Sequence, residues 1–432
     1  MKEGCPTSGL ILTLPNDGLG ADILGTISGF EDFSYRGSMV EKLQLAEPSL
    51  EAISPLTAQD LAGSFHLGFH RFEVPFGRVD ELADIAMLRI SEMDFAKGAP
   101  IAIEEDLDLP LDAPIGPNFA FGGQHETYLT GFGVATLHNR NDIGQGKTVT
   151  IIDTGYRGTL PHGAWDVTTT PVSRGSPPDV NGHGTAMLTL AHSVAPGAKF
   201  NMIRAANDES VTIWSLIAAL FVAATDAQSD VISMSLGFDH IRKCCYCGGT
   251  GAQRSFALEC AVALVAATRN ASGQLPLLVA STGNGRRDDG IKRPALFSDV
   301  VAIGSVDSNG DHSAFSNYDR TGPAHHQFCA FGGQEDTQHT VIEHCGAGDT
   351  GQCFGTSPAT AYASGLFALL WALHDNVDRD ALIANVRLNH VVPAGPASTH
   401  GYGLLCADPT ASPLPRGSVG SGTRRIPLPR RP

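Results

Sequence analysis

The sequence predicts an α/β fold: a parallel sheet flanked by helices on both faces, preceded by a smaller N-terminal α+β domain. Three observations carry this prediction. From about residue 146, short apolar strands alternate with helical segments, the pattern of a sheet buried on both sides. Hydrophobic residues make up 42% and charged residues 17% of the 432-residue chain, enough for a large core. Residues 65–109 read strand–helix–strand by themselves, ahead of a Pro- and Gly-rich stretch at 111–127.

Taken in order, residues 1–60 are rich in Gly, Leu and Ser, show little periodicity and receive no assignment. In the module at 61–110, residues 70–75 alternate like a strand. Leu82, Ile85, Ala86 and Ile90 keep helical spacing, and 100–109 reads as one more strand. The main domain is placed at 128–411. Its strands are predicted at 148–152, 199–204, 231–234, 277–280 and 300–305, with helices at 184–193, 212–224, 257–268 and 359–373. Residues 239–256 and 321–353 read as insertions. Residues 412–432 form a Pro-, Gly- and Arg-rich tail.

Composition narrows the function. A formal charge of −16 argues against nucleic-acid binding, and no apolar run approaches the roughly 20 residues of a membrane span. The start, with Pro15 interrupting a short apolar patch, lacks the pattern of a secretory signal, so a cytoplasmic location is expected. The nine cysteines are an odd number, which speaks for reduced thiols. Cys244, Cys245, Cys247 and Cys260 form one group of zinc-type ligands. Cys329, Cys345 and Cys353 with His325, His326 and His344 form another. Neither has the spacing of a closed zinc motif, and free thiols or disulfides in loops are the alternative reading. The run 144–148 resembles a phosphate loop, but Asn141 stands where its first glycine belongs, so it reads as a turn.

Chemistry concentrates at strand ends, where sites of α/β sheets lie. Asp153 closes the apolar run 148–152 ahead of Gly155. His183 stands between Gly182 and Gly184 at the start of a helical stretch. Ser357 precedes an apolar helix, whose first N–H groups have no intrahelical acceptor. Asn284 follows a further strand. Amide cleavage needs a nucleophile, a base oriented by a carboxylate, and donors for an oxyanion. Ser357, His183, Asp153 and Asn284 supply those types in turn.

With the motifs Asp153-Thr154-Gly155, Asn181-Gly182-His183-Gly184-Thr185 and Gly355-Thr356-Ser357 in that order, the chain resembles the subtilisin-like serine peptidases, or subtilases. Val194-Ala195-Pro196, Ser235-Leu236-Gly237, Arg293-Pro294-Ala295 and Gly401-Tyr402-Gly403 extend the similarity over about residues 125–410. The resemblance implies the subtilisin-like fold and an Asp153–His183–Ser357 triad with Asn284 in the oxyanion hole. It implies a substrate pocket walled by Ser235, Leu236 and Gly237 on one side and Ser281, Thr282 and Gly283 on the other. It implies a propeptide at 61–110, for which an unrelated accessory domain is the alternative reading, a zymogen cleaved within the linker, and a peptide or protein as partner. Catalysis of this kind requires no cofactor. Calcium is common in the family, and the loop 307–311 offers oxygen donors, although such acidic turns are also found simply solvated.

Two departures stand out. Ala186 replaces a second histidine usual in the family. Pro358 follows the nucleophile and is expected to hold Ser357 in an extended conformation. The expected activity is a serine endopeptidase of restricted specificity. A maturation protease or transpeptidase acting on one partner peptide is the first alternative, and a catalytically silent binding module is the second.

Overall fold

A computed structural model of the chain describes residues 9–15, 21, 23–25, 27, 34–40, 67–74, 82, 86, 102–106, 108–110, 120–121, 123–157, 167–172, 179–206, 210–238, 256–286, 290–318, 327–334, 341–345, 351–374, 376–408 and 410. The N-terminal module is built on β1 (Gly9–Pro15), β2 (Ser34–Val40), β3 (Leu67–Glu73) and β4 (Ala102–Glu105), in the order β2-β3-β1-β4. The module therefore reaches back to residue 9, well before the boundary expected near 61. β1 escapes sequence recognition for a physical reason: it is the strand between β3 and β4. Leu10, Ile11, Leu12, Thr13 and Leu14 are all buried, so no alternation appears.

The stretch expected as one strand at 100–109 is divided at Asp106. β5 (Asp108–Pro110) leaves the module and pairs antiparallel with β10 (Ser210–Thr212). Asp106 itself is buried, and its carboxylate accepts from Arg71 Nε at 2.7 Å and from Trp214 N–H at 2.9 Å. Burial pushes its pKa up, while the Trp214 N–H and the Arg71 guanidinium pull it down. The stretch expected as a linker contains β6 (Ala120–Phe121) and the start of α1 (Gly123–Gly131), which is followed by α2 (Val134–His138).

The main sheet starts with β7 (Thr148–Asp153) and β8 (Val167–Pro171). It continues with β9 (Lys199–Arg204), β11 (Val231–Met234), β12 (Leu277–Ser281), β13 (Val300–Val306) and β14 (Gln327–Phe331), and closes with β17 (Val391–Val392) and β18 (Leu404–Leu405). Its order is β17-β18-β14-β13-β12-β11-β7-β9-β8, parallel throughout except for the β17–β18 edge pair. β14 lies inside the stretch read as an insertion at 321–353, so part of that stretch is core. The rest of it includes the hairpin β15 (Ile342–Cys345) and β16 (Gly351–Cys353), which pairs with β6.

Successive side chains of each strand enter two different cores. Val149, Ile151, Leu277, Val279, Val301 and Ile303 pack with α1, α2, α3 (His183–Val194), α6 (Thr356–Leu373) and α7 (Arg379–Asn389). Ile152, Ile232, Leu278, Ala280 and Ala302 pack with α4 (Ile213–Thr225) and α5 (Phe256–Ala266), where Ile11 and Phe69 of the N-terminal module join them. Helices α3 and α6 touch closely: a Cβ on Gly365 would stand 2.4 Å from the Ala191 carbonyl oxygen. No helix among the described residues is long and apolar enough to cross a membrane.

Candidate active site

Asp153 ends β7 and is buried, with Thr154 N–H donating to Oδ1 at 2.7 Å. His183 opens α3 and donates from Nδ1 to the same carboxylate, at 2.8 Å to Oδ1 and 3.0 Å to Oδ2. A carboxylate only accepts, so the contact assigns the proton to Nδ1 and leaves Nε2 as the basic nitrogen. The two turns approach so closely that a Cβ on Gly184 would lie 2.3 Å from the Gly155 carbonyl oxygen. Glycine after the histidine is therefore a packing requirement.

A second carboxylate, which sequence reasoning missed, holds the turns together. Buried Asp179 accepts from Thr154 Oγ1 at 2.9 Å, Gly182 N–H at 2.9 Å, Thr185 N–H at 3.0 Å and Thr185 Oγ1 at 2.6 Å. Thr154 Oγ1 also accepts from Gly184 N–H at 2.9 Å. The signal was present as an acidic residue just ahead of a helix start, where it meets unpaired N–H groups.

Ser357 is the second residue of α6 and is buried. It is helical, contrary to the extended conformation expected from Pro358. At the first turn the missing Pro358 N–H costs nothing, and neighbouring bonds fix the Ser357 backbone. Ser357 Oγ donates to the Ser235 carbonyl and Ser235 Oγ donates back to the Ser357 carbonyl, each at 3.1 Å.

Asn284 lies beside this turn. Its Oδ1 accepts from Thr356 N–H at 2.9 Å and from Thr356 Oγ1 at 2.8 Å. Two donors on one atom fix the amide orientation and make Nδ2 the donor end. The Thr356 hydroxyl also accepts from Gly283 N–H at 3.2 Å. Thr356, inside the quoted Gly355-Thr356-Ser357 motif, thus positions Asn284, a role the motif alone did not reveal.

The predicted substrate segments meet at the same edge. Ser281 Oγ donates to the Leu236 carbonyl at 3.2 Å, so 235–237 and 281–283 are neighbours at the ends of β11 and β12. Thr282 is buried, and its carbonyl accepts from Lys292 N–H at 2.9 Å.

The metal readings fare differently. Cys244, Cys245 and Cys247 lie outside the described residues, as do His325 and His326. Cys260 is buried in α5 within the apolar core, and Cys329 sits in β14, where burial pushes its thiol up to about 12. Among the described residues no group of three or more His, Cys, Asp or Glu could hold a metal. In the loop at 307–311, offered as a source of oxygen donors for calcium, part of the donor set is taken up by backbone N–H groups. Asp307 Oδ1 accepts from Asn309 N–H at 2.8 Å and Asp311 N–H at 3.0 Å, and the Asp311 carbonyl accepts from Asp307 N–H at 2.9 Å. These bonds close the turn.

A carboxylate-held imidazole, a serine at a helix start and an anchored amide are together able to carry acyl transfer without a cofactor. Comparison with known proteins agrees with this chemistry. The subtilase family model matches residues 144–403, more than half of the chain. Thermitase from Thermoactinomyces vulgaris is 28% identical over 193 residues, 40% of this chain and 60% of that protein. The thermostable alkaline protease of Halalkalibacterium halodurans is 28% identical over 284 residues, 62% of this chain and 69% of its own length. Among solved structures, the epidermin leader peptide processing serine protease of Staphylococcus aureus superposes with a TM-score of 0.62 at 18% identity. That match covers 94% of this chain and 99% of the other.

Proposed function

The chain belongs to the subtilase family of serine peptidases, and from that premise we propose that it hydrolyses peptide bonds through an acyl-enzyme on Ser357. The observation that carries the reading is the 2.8 Å contact between His183 Nδ1 and Asp153, at the sheet edge that also holds Ser357 and Asn284. In the reaction the Ser357 hydroxyl leaves the Ser235 carbonyl and its Oγ attacks the scissile carbon. The proton passes to His183 Nε2, and the resulting imidazolium is stabilised by Asp153. The oxyanion receives hydrogen bonds from Asn284 Nδ2 and the Ser357 N–H. Collapse of the intermediate expels the amine, which takes the proton from His183, and a water activated by the same base releases the acyl group.

Residues preceding 111 act in this reading as an inhibitory propeptide. Its support is β5, which adds an antiparallel strand to β10 just beyond the Ala205 and Ala206 N–H groups that bind the Asp153 carbonyl. Processing of a single partner peptide, the activity named for the Staphylococcus aureus structural neighbour, is the sharper form of the same proposal. The test is to incubate the chain and its Ser357→Ala variant with an unfolded protein and weigh the products. New fragment pairs summing to the parent plus one water, absent from the variant, support hydrolysis. Intact substrate in both reactions, with the N-terminal module removed, contradicts it.

A further inference from the structure

Segments 235–237 and 281–283 follow neighbouring parallel strands, and each touches the start of α6. Ser235 does so through its reciprocal bonds with Ser357, and Gly283 through the Thr356 hydroxyl. In the peptidase reading, the gap between them receives the side chain next to the scissile bond. Both segments end in glycine, so neither wall supplies a side chain there. The space is filled by Lys292. A Cβ on Gly283 would stand 2.6 Å from Lys292 Cδ and 2.7 Å from Cγ. A Cβ on Gly237 would stand 3.1 Å from Lys292 Cβ and 3.5 Å from Cδ.

The backbone fixes this placement from both sides. Lys292 N–H donates to the Thr282 carbonyl at 2.9 Å, and Arg293 exchanges bonds of 3.0 and 3.2 Å with Phe238. Lys292 is half-buried, and its ammonium group makes no ion pair among the described residues. A lysine whose stem is packed between two glycines keeps its charged head in the remaining water. Among the described residues it meets no counter-charge, and the flanking segments 235–237 and 281–283 carry no charged side chain.

We infer that Lys292 determines substrate choice by pairing with an acidic side chain, aspartate or glutamate, immediately N-terminal to the cleaved bond. This rests on the peptidase reading above. The chain's −16 charge repels acidic peptides at long range, so the preference arises in the contact itself, where a partly desolvated charged hydrogen bond outweighs screened repulsion.

Three matched fluorogenic peptides differing only in that residue, Glu, Gln or Lys, test it. The native chain is expected to favour Glu over Gln by about tenfold in kcat/KM. Lys292→Gln should abolish the preference, and Lys292→Glu should turn it towards Lys. The same peptides titrated against Ser357→Ala read binding without turnover. Preferential binding of the Glu peptide without turnover by the native chain sustains the role of Lys292 and removes the peptidase reading. Turnover of all three peptides at equal rates overturns the role of Lys292 and leaves the peptidase reading standing. Absence of both binding and turnover overturns both.

Discussion

Replacing Thr356 by valine removes a hydroxyl while keeping shape and β-branching, and so isolates its positioning role. The hydroxyl makes two bonds at the site, donating to Asn284 Oδ1 at 2.8 Å and accepting from Gly283 N–H at 3.2 Å. The Thr356 N–H bond to Asn284, at 2.9 Å, survives the change. Asn284 thus loses one of its two Thr356 anchors, and the buried Gly283 N–H loses an acceptor. Stranding a buried donor costs about 1–3 kcal/mol of stability. For activity the ceiling is the full worth of one oxyanion donor, about 3–4 kcal/mol. Loosening it should forfeit about half, a roughly 10- to 30-fold fall in kcat. Steady-state kinetics on one peptide, with thermal unfolding as the stability readout, measure both effects. Asn284→Leu should lower kcat by about 10²–10³. The double variant should then cost no more than Asn284→Leu alone, because Thr356 acts on the oxyanion only through Asn284. Strictly additive losses would refute this chain of reasoning.

Asp153→Asn should lower kcat by about 10⁴ while leaving the fold intact, because the amide favours the wrong imidazole tautomer; circular dichroism beside kinetics checks both halves. Gly365→Ala places a methyl 2.4 Å from the Ala191 carbonyl and should cost about 2–3 kcal/mol in a denaturant titration. Gly25→Ala, at an exposed helical position with nothing within 4 Å of the new Cβ, should instead stabilise by up to about 1 kcal/mol. His312 and His390 are held neutral, each lowered to about 4, by burial first and by a neighbouring histidine as well. With folded pKa values below the unfolded value near 6.5, their contribution is full above that pH. It is lost as pH falls towards 4, by up to about 3 kcal/mol each. Denaturation midpoints that stay flat between pH 7.5 and 4.5 would contradict this.

The parts of the site legible in the sequence are those carried by local boundaries. Asp153 ends an apolar run, His183 stands between glycines at a helix start, and Ser357 and Asn284 sit at similar transitions. The structure gathers all four at one sheet edge because parallel strands point the same way. What stayed hidden depends on contacts distant in sequence. Thr356 and Asn284 are 72 positions apart, and Asp179 acts through turns on either side of it. Lys292 is ordinary in sequence and matters only because two glycines on other segments leave room for its stem. Two buried elements were misread. β1 is apolar at nearly every position, and β14 lies in a stretch whose cysteines and histidines read as metal ligands. At Pro358 a local conformational rule yielded to the helix start, where a missing N–H is harmless and Ser235 holds the serine backbone.

The most direct test of the account is the intact mass of the purified chain after treatment with a fluorophosphonate, alongside Ser357→Ala. The account predicts one adduct on the native chain and none on the variant, because only a serine whose proton is taken by His183 reacts readily. A native chain, folded and freed of its N-terminal module, that takes up no adduct, or a variant that is labelled equally, would contradict it.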